Sequence, residues 1–400
     1  MIKFICAKIQ QFNLSFIKFV KNTFQMKTAV YSISSSLHQG IPSLEEDNFI
    51  KSVQEATGHS FKFFGEDFST WGNYPDSVIF VRTGGTEGVF RSLGLKGRIR
   101  LLTSGHDNSL AAAMEILAYI KLQGGDGEIL HGTPERIAAQ MEAPQASEYG
   151  GKFLPLPDID FKGARLGVIG QPSDWLVASD VDYAAAKQKL GLELVDIPIT
   201  ELIEGVKAVG CDFRSFEGSE AIYTVLKGMV ARYSLSGITL RCFDLLDTLG
   251  NTGCLALARL NAEGIVSSCE GDIPTLITMM IADKLHGTPG FQCNLSRING
   301  DELLFAHCTV PLSMVRSFTY ATHFESGIGT AIKGEIPEGD AVIMKISPKL
   351  DKMVAIPSKI VRNQSEAGLC RTQIIVNAPG AADYFLHAPL ANHHVVVPVK

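Results

Sequence analysis

The chain has 400 residues, 46 % of them hydrophobic and 20 % charged, with 36 basic and 42 acidic side chains and a formal net charge of −6. That balance excludes a general nucleic-acid binder, which needs a basic field, and it gives no reason to expect disorder; the length suits two or three domains with sizeable cores. The eight cysteines (Cys6, Cys211, Cys242, Cys254, Cys269, Cys293, Cys308 and Cys370) show no CxxC spacing. They read as buried free thiols of a protein in a reducing, cytoplasmic setting rather than as a disulfide frame or a zinc site.

In chain order, residues 1–25 stand apart: they carry Lys3, Lys8, Lys18 and Lys21, no acidic residue, and apolar positions at helical spacing. Polar residues break every apolar run, so neither a secretory core nor a membrane span is expected there or elsewhere. This stretch is read as a non-native or amphipathic leader ahead of a first strand that begins after Met26. From there, short β-rich runs alternate with helical ones, the signature of parallel sheets built from βαβ units. "TAVYSI", "SVIFVR", "RIRLLT" and "GEILHG" are expected strands of a first α/β domain over 26–157, with a helix over "SLAAAMEILAYIKL" capped by Asn108 or Ser109. A second α/β domain over 158–294 follows the Pro-containing "LPLPDIDF", with strands over "ARLGVIG", "LELVDIPI", "GITLRCFDLL" and "IVSSC" and helices between them. After about residue 295 the helices stop and short Gly/Pro-punctuated strands fill 295–400. The expected architecture is two doubly wound, Rossmann- or flavodoxin-like α/β domains followed by a β-rich, barrel-like C-terminal domain.

In open parallel sheets ligands sit at the carboxyl ends of the strands. "IVSSCEGDIPTLITMMIADKLHG" has that layout: a strand, then Glu270, Gly271 and Asp272, then a helix with Pro274 in its first turn and Gly287 as its stop. Asp272 has a structural account as the helix N-cap, against a catalytic one. Glu270 precedes the cap and is expected to project into the crevice. "TGGTEG" (Thr83 to Gly88) also follows a strand, but it lacks the GxGxxG and GxxxxGK[ST] spacings, so a tight strand-to-helix turn is set against an anion or nucleotide site. Trp175, after the first strand of the second domain, is either core or a stacking face for a sugar or base. His38, His59, His106, His131, His286, His323 and His387 have no partner spacing and read as incidental. His307 ends a strand and His393 and His394 begin another, where at most one of the pair can face a given site. A carboxylate with imidazoles from distant segments suits Mn²⁺, or Mg²⁺ where oxygens dominate.

These segments, "CEGDIPTLITMMIADKLHGTPGFQCN", "LLFAHCTVP", "ANHHVVV", "IGQPSDWL" and "NTGCLALARLNAEGI", resemble the L-fucose isomerase family and, more distantly, L-arabinose isomerases, over nearly the whole chain from Met26. The resemblance implies a metal-dependent ketol isomerase acting on a small sugar, using Mn²⁺ or another divalent ion, and a homo-oligomer with sites near subunit boundaries. It implies Glu270 as metal ligand and acid/base group, Asn294 where the family has a ligand Asp, His393 as a further ligand, and His307 as an approximate match to a metal-binding His. Trp175 and Asn392 are the expected substrate contacts. An amide cannot accept a proton near neutral pH, so Asn294 removes half of the acid/base pair, and His307 is the expected replacement. The alternative is a sugar-binding or regulatory relative that keeps the pocket without the reaction.

Overall fold

A computed structural model describes residues 27–35, 40–143 and 150–399. The proposed leader, Cys6 and His38 lie outside these. The first sheet has five parallel strands, β1 (Lys27–Ile33), β2 (Ser60–Gly65), β3 (Ser77–Val81), β4 (Ile99–Thr103) and β5 (Gly127–Leu130), in the order β2-β1-β3-β4-β5. The second has four, β6 (Arg165–Ile169), β7 (Glu193–Ile197), β8 (Gly237–Leu240) and β9 (Val266–Cys269), in the order β7-β6-β8-β9. Its pairs are all parallel. In both sheets the first strand lies inside and the chain winds outward from it, so each has a switch point where loops part. No helix among the described residues is long and apolar enough to cross a membrane.

The C-terminal region closes into an antiparallel barrel of β10 (Phe291–Asn299), β11 (Glu302–His307), β14 (Gly339–Ile346), β15 (Met353–Gln364), β16 (Thr372–Asn377) and β17 (His394–Pro398), while β12 (Ser317–Ala321) and β13 (Ala331–Glu335) form a separate hairpin. Closure leaves no free edge, which disposes of the unpaired backbone groups that a strand-rich segment would otherwise expose. The first sheet shares a core with the barrel: Tyr31, Ile79, Leu101 and the helix Ser109–Leu122 pack in one cluster with Phe291, Phe305 and Tyr384.

Helix Ile273–His286 lies between the second sheet and the barrel, packing Leu276, Ile277 and Ile281 against Val168, Ile346 and Val395. Each such aliphatic side chain removed from water stabilises by about 1.5–3 kcal/mol. Its two buried threonines have barrel partners: Lys345 Nζ donates to Thr275 Oγ1 at 2.8 Å and the Ile346 amide to Thr278 Oγ1 at 3.2 Å. The seven described cysteines are free thiols, all but Cys211 buried.

Three local expectations are corrected. Neither Asn108 nor Ser109 caps the helix over 109–122: Asn108 is in the left-handed region (φ 58°) with its amide turned to Glu325, and Ser109 Oγ donates to the Val81 carbonyl across the β3 end. The strand over "GITLRCFDLL" ends at Leu240, because Asp244–Leu249 turn into a short helix. A helix, Ala381–His387, interrupts the all-β C-terminal region and seats Tyr384 and Phe385 in the core shared with the first sheet.

Candidate active site

β6, β8 and β9 run parallel and adjacent, so their carboxyl ends open on the same side. Glu270 leaves β9 there with φ 64°, in the left-handed region that a non-glycine residue enters at a cost. The turn holds because the Ser173 amide donates to the Glu270 carbonyl at 3.0 Å and the Gly271 amide to Leu240 at 3.0 Å. Gly271 has φ 72°, and a Cβ on it would lie 2.3 Å from the Gln171 carbonyl oxygen; only glycine fits there. The strained backbone fixes the direction of one carboxylate.

Two imidazoles meet that carboxylate. His307 Nε2 lies 3.7 Å from Glu270 Oε1, and His393 Nε2 lies 3.4 Å from the same oxygen. The rings are 5.5 Å apart, edge to face. Each ring is steered from behind: His307 Nδ1 is hydrogen-bonded to Thr309 Oγ1 at 2.7 Å, and His393 Nδ1 donates to Asp272 Oδ2 at 2.9 Å. Trp175 Nε1 donates to the other carboxylate oxygen, Oε2, at 2.6 Å. His394 turns the opposite way, bonding the Tyr384 hydroxyl at 2.8 Å within the barrel core. The strand alternation thus selects His393 for the site.

Asp272 caps the helix, as expected, through Oδ1 and the Thr275 amide at 2.7 Å. Its second role has no signal in the sequence. Oδ2 holds His393 and faces Lys345 Nζ at 3.5 Å, with both Asp272 and Lys345 fully buried. Burial opposes ionisation of Asp272, but Lys345 and His393 outweigh it and bring its carboxyl down to about 2. Burial likewise disfavours a charged Glu270, yet His393, then His307, hold it well below the usual carboxylate range. His393 is pushed up to about 10: burial works against its charge, and Glu270 and Asp272 together prevail.

Asn294 belongs to β10, between β11 and β17, where Cys293 pairs with His394 and Asn294 with Ala306; His393 and His307 are the next residues along the two neighbouring strands. Asn294 lines a small cleft together with Trp175 and Asn392, and Trp175 joins that cleft to Glu270 and, through it, to His307 and His393. The cleft also receives Gly84, Gly85 and Glu87 from the β3 end, Asn108 from the β4 end and Phe243 from the β8 end. "TGGTEG" is the tight turn: Gly85 has φ 73°, and the Gly84 amide is spent on the Asp107 carbonyl at 2.8 Å.

His323, read from the sequence as incidental, is buried with its ring edge-on to Phe243 at 5.4 Å, beside the cleft. Burial lowers its pKa to about 4, against the pull of Glu270. Sequence reasoning also misses Glu87 and Glu325. Burial raises Glu87 well above the carboxylate range, and burial with the charge of Glu270 raises Glu325 to about 7. Their signal is tertiary, since one follows β3 and the other sits in the β12–β13 hairpin.

The donor set fits a divalent ion. A carboxylate and two imidazole Nε2 atoms converge, Asn294 Oδ1 and His393 Nε2 are buried without hydrogen-bond partners, and His393 has the carboxylate behind it that orients metal-bound imidazoles. Cys269 Sγ is grouped with the Glu270 and His307 donors within 4.8 Å, but it also lies 3.1 Å from Cys242 Sγ.

No family model matches the chain. It is similar to sulfoquinovose isomerases of Alkalicoccus urumqiensis (21 % identity over 278 residues, 62 % of this chain and 60 % of that protein), Priestia aryabhattai (28 % over 171 residues, 41 % and 34 %) and Clostridium sp. strain MSTE9 (25 % over 166 residues, 39 % and 37 %). The chain therefore spans between a third and three fifths of the curated relatives it matches. These likenesses at low identity suggest the fucose/arabinose isomerase-like superfamily and do not single out L-fucose isomerase.

Proposed function

We propose that this protein is a divalent-metal-dependent aldose–ketose isomerase of the fucose/arabinose isomerase type. The observation that carries this reading is the meeting of His307 Nε2 and His393 Nε2 at a single oxygen of Glu270. The resemblance to named sugar isomerases supports the reaction class, while their sulfonated substrate remains a property of those proteins.

Interconverting an aldose and a ketose moves a hydrogen between C1 and C2 and a proton between O1 and O2. A bound Mn²⁺ or Mg²⁺, held by Glu270, His307, His393 and Asn294, would polarise the carbonyl and orient the two oxygens. With Nε2 turned to the ion site and Nδ1 bonded to Thr309 Oγ1, His307 keeps no nitrogen free to take a proton, so Glu270 is both ligand and acid/base group where the family Asp is missing. In this scheme the C2 proton passes to Glu270 and returns at C1. Trp175 fixes the idle oxygen of Glu270 and offers a half-buried ring to the sugar face.

Stripped protein, reloaded with Mn²⁺ and offered a panel of pentoses and 6-deoxyhexoses, is expected to form a ketose from at least one of them, and Glu270→Gln to abolish the conversion. Absence of metal-dependent conversion across the panel would remove the reading. Asn294 sustains one rival, a sugar-binding relative without turnover; sugar-induced thermal stabilisation with no ketose formed would favour it.

A further inference from the structure

A second cleft, of about 450 Å³, opens between the end of helix Ser109–Leu122, the turn that joins β14 to β15, and the segment leading from helix Ala381–His387 towards Asn392. That size suits a small organic molecule. The buried part of its lining is apolar, from Ala118, Pro389 and Leu390, with half-buried Leu122 and Phe153 beside them. The more exposed part is cationic, from Lys121, Lys349 and Lys352. Lys121 is shared with Asp126 at 3.6 Å, but the other two ammonium groups have no carboxylate partner among the described residues. Lys352 Nζ rests 4.1 Å from the centre of the Phe153 ring, and Lys349 contributes only its carbonyl, to Lys189 Nζ at 3.0 Å. Asp351, the carboxylate of the lining, accepts from the Ser347 hydroxyl within the turn, and His387 is paired with Asp383 at 2.9 Å. A chain of net charge −6 thus places two uncommitted ammonium groups beside an apolar floor.

All three walls run into the candidate active site. The Leu390 amide donates to the Tyr384 hydroxyl at 3.0 Å, the same hydroxyl that meets His394 Nε2 at 2.8 Å, and Asn392 and His393 lie between these two anchors. Ala118 is one helical turn beyond Glu115, which accepts from the Asn392 amide at 2.8 Å. Ser347 is two residues beyond Lys345, the buried partner of Asp272.

We propose that this cleft binds a small organic phosphate, its apolar body on Ala118, Leu122 and Leu390 and its phosphate between Lys349 and Lys352, and that occupancy adjusts the ion affinity of the Glu270–His393 site. Two ammonium groups match a phosphate dianion, and lysine meets it as a point charge that needs no fixed orientation. The apolar floor separates an organic phosphate from the free ion, because only a ligand with a body removes that surface from water. A ligand held against Leu390 restrains the short segment that sets the position of His393. The coupling rests on the metal-dependent reading above, whereas the binding site does not. Linkage makes the coupling reciprocal: the ion must change the affinity for the phosphate by the factor by which the phosphate changes the affinity for the ion.

The test is calorimetry on the full chain at low ionic strength, with and without Mn²⁺, using adenosine monophosphate, phenyl phosphate, adenosine and inorganic phosphate as probes. At least one of the two organic phosphates is expected to bind at one site per chain, about tenfold or more tighter than adenosine or inorganic phosphate. The double variant Lys349→Gln with Lys352→Gln is expected to weaken that binding by about tenfold or more. Neither lysine has an ion pair to lose, so the fold is kept. Saturating Mn²⁺ is expected to shift the affinity of the bound organic phosphate by about fivefold or more, with an equal shift in Mn²⁺ affinity. The double variant should lose that shift, which separates coupling from chelation of the ion by the probe. Binding of neither organic phosphate, inorganic phosphate bound as tightly as both, or affinities unchanged in the double variant overturns the site. Equal affinities with and without Mn²⁺ overturn the coupling. Lysine-dependent phosphate binding by a protein that takes up no Mn²⁺ would uphold the site and remove the metal-dependent reading; Mn²⁺-dependent ketose formation without phosphate binding would do the reverse.

Discussion

His393 donates through Nδ1 to Asp272 at 2.9 Å while the other oxygen of Asp272 caps a helix through the Thr275 amide at 2.7 Å. One buried carboxylate thus ties the start of helix Ile273–His286 to the orientation of a candidate ligand on a distant strand. Its charge is met by Lys345, fully buried at 3.5 Å.

Asp272→Asn keeps a good N-cap and removes the charge, so it separates the two roles. We expect Mn²⁺ affinity to fall by about 10–100-fold, as for other partners that orient a metal-bound imidazole. Stability should fall by about 3–5 kcal/mol because Lys345 is left buried and uncompensated. The double variant Asp272→Asn with Lys345→Met should recover most of the stability and none of the affinity, as read by urea unfolding and calorimetry.

Trp175→Phe removes the donor to Glu270 Oε2 and keeps an aromatic ring against Phe243, 4.8 Å away. With one oxygen of Glu270 released, Mn²⁺ affinity is expected to drop about tenfold. The unfolding midpoint should barely move, since Trp175 is only half-buried. Unchanged metal binding would mean that Trp175 serves packing alone.

Glu115 is fully buried and gathers three segments: its Oε1 accepts from the Ala178 amide at 2.7 Å and Ser179 Oγ at 3.0 Å, and its Oε2 from the Asn392 amide at 2.8 Å. Glu115→Ala leaves those donors buried and unpaired, at about 1–3 kcal/mol each, and frees the approach to His393. Both lower stability and weaker Mn²⁺ binding are expected; Glu115→Gln should be milder, because its oxygen can still serve Ala178 and Ser179 and its NH₂ would face the Asn392 amide alone.

The strands of the two sheets are legible because buried parallel strands are short apolar runs set between helices, as "TAVYSI", "RIRLLT" and "ARLGVIG" show. β2 is not, being a half-buried edge strand, "SFKFFG", whose only signal is aromatic content. The barrel-like character of the last hundred residues is legible in their short Gly/Pro-punctuated strands, but the strand order is not, since it depends on β17 returning to pair with both β10 and β14. In the site, Glu270 stands out because it precedes a cap, and His393 and His307 because they lie at strand ends. Glu87 and Glu325 acquire their meaning only when loops from the first sheet and the separate β12–β13 hairpin meet at one cleft, with His323 beside it, and no local pattern records that.

The folded state should be sensitive to acid through His131. Its Nε2 accepts from the Ile298 amide at 3.1 Å and its Nδ1 is bonded to Thr103 Oγ1 at 2.7 Å, joining the first sheet to β10. Burial, with Arg136 and Arg297 nearby, lowers its pKa from 6.5 to about 3. The unfolded chain binds this proton near pH 6.5 and the folded protein resists it until about 3, so the contribution is complete above pH 6.5 and is lost as pH falls through that window. It amounts to something on the order of 5 kcal/mol. Urea unfolding at pH 7.5 and 4.5 should show a smaller difference for His131→Gln than for the wild type; identical differences would contradict the assignment.

The site stands or falls on whether Glu270, His307 and His393 hold one divalent ion at the mouth of the cleft. Crystals soaked with Mn²⁺ and measured for anomalous scattering at the manganese edge test this directly. A single strong peak is predicted within bonding distance of Glu270 Oε1 and both Nε2 atoms, absent from crystals of Glu270→Gln. A peak elsewhere, or none at these three side chains while soaked Mn²⁺ binds other carboxylates, would contradict it.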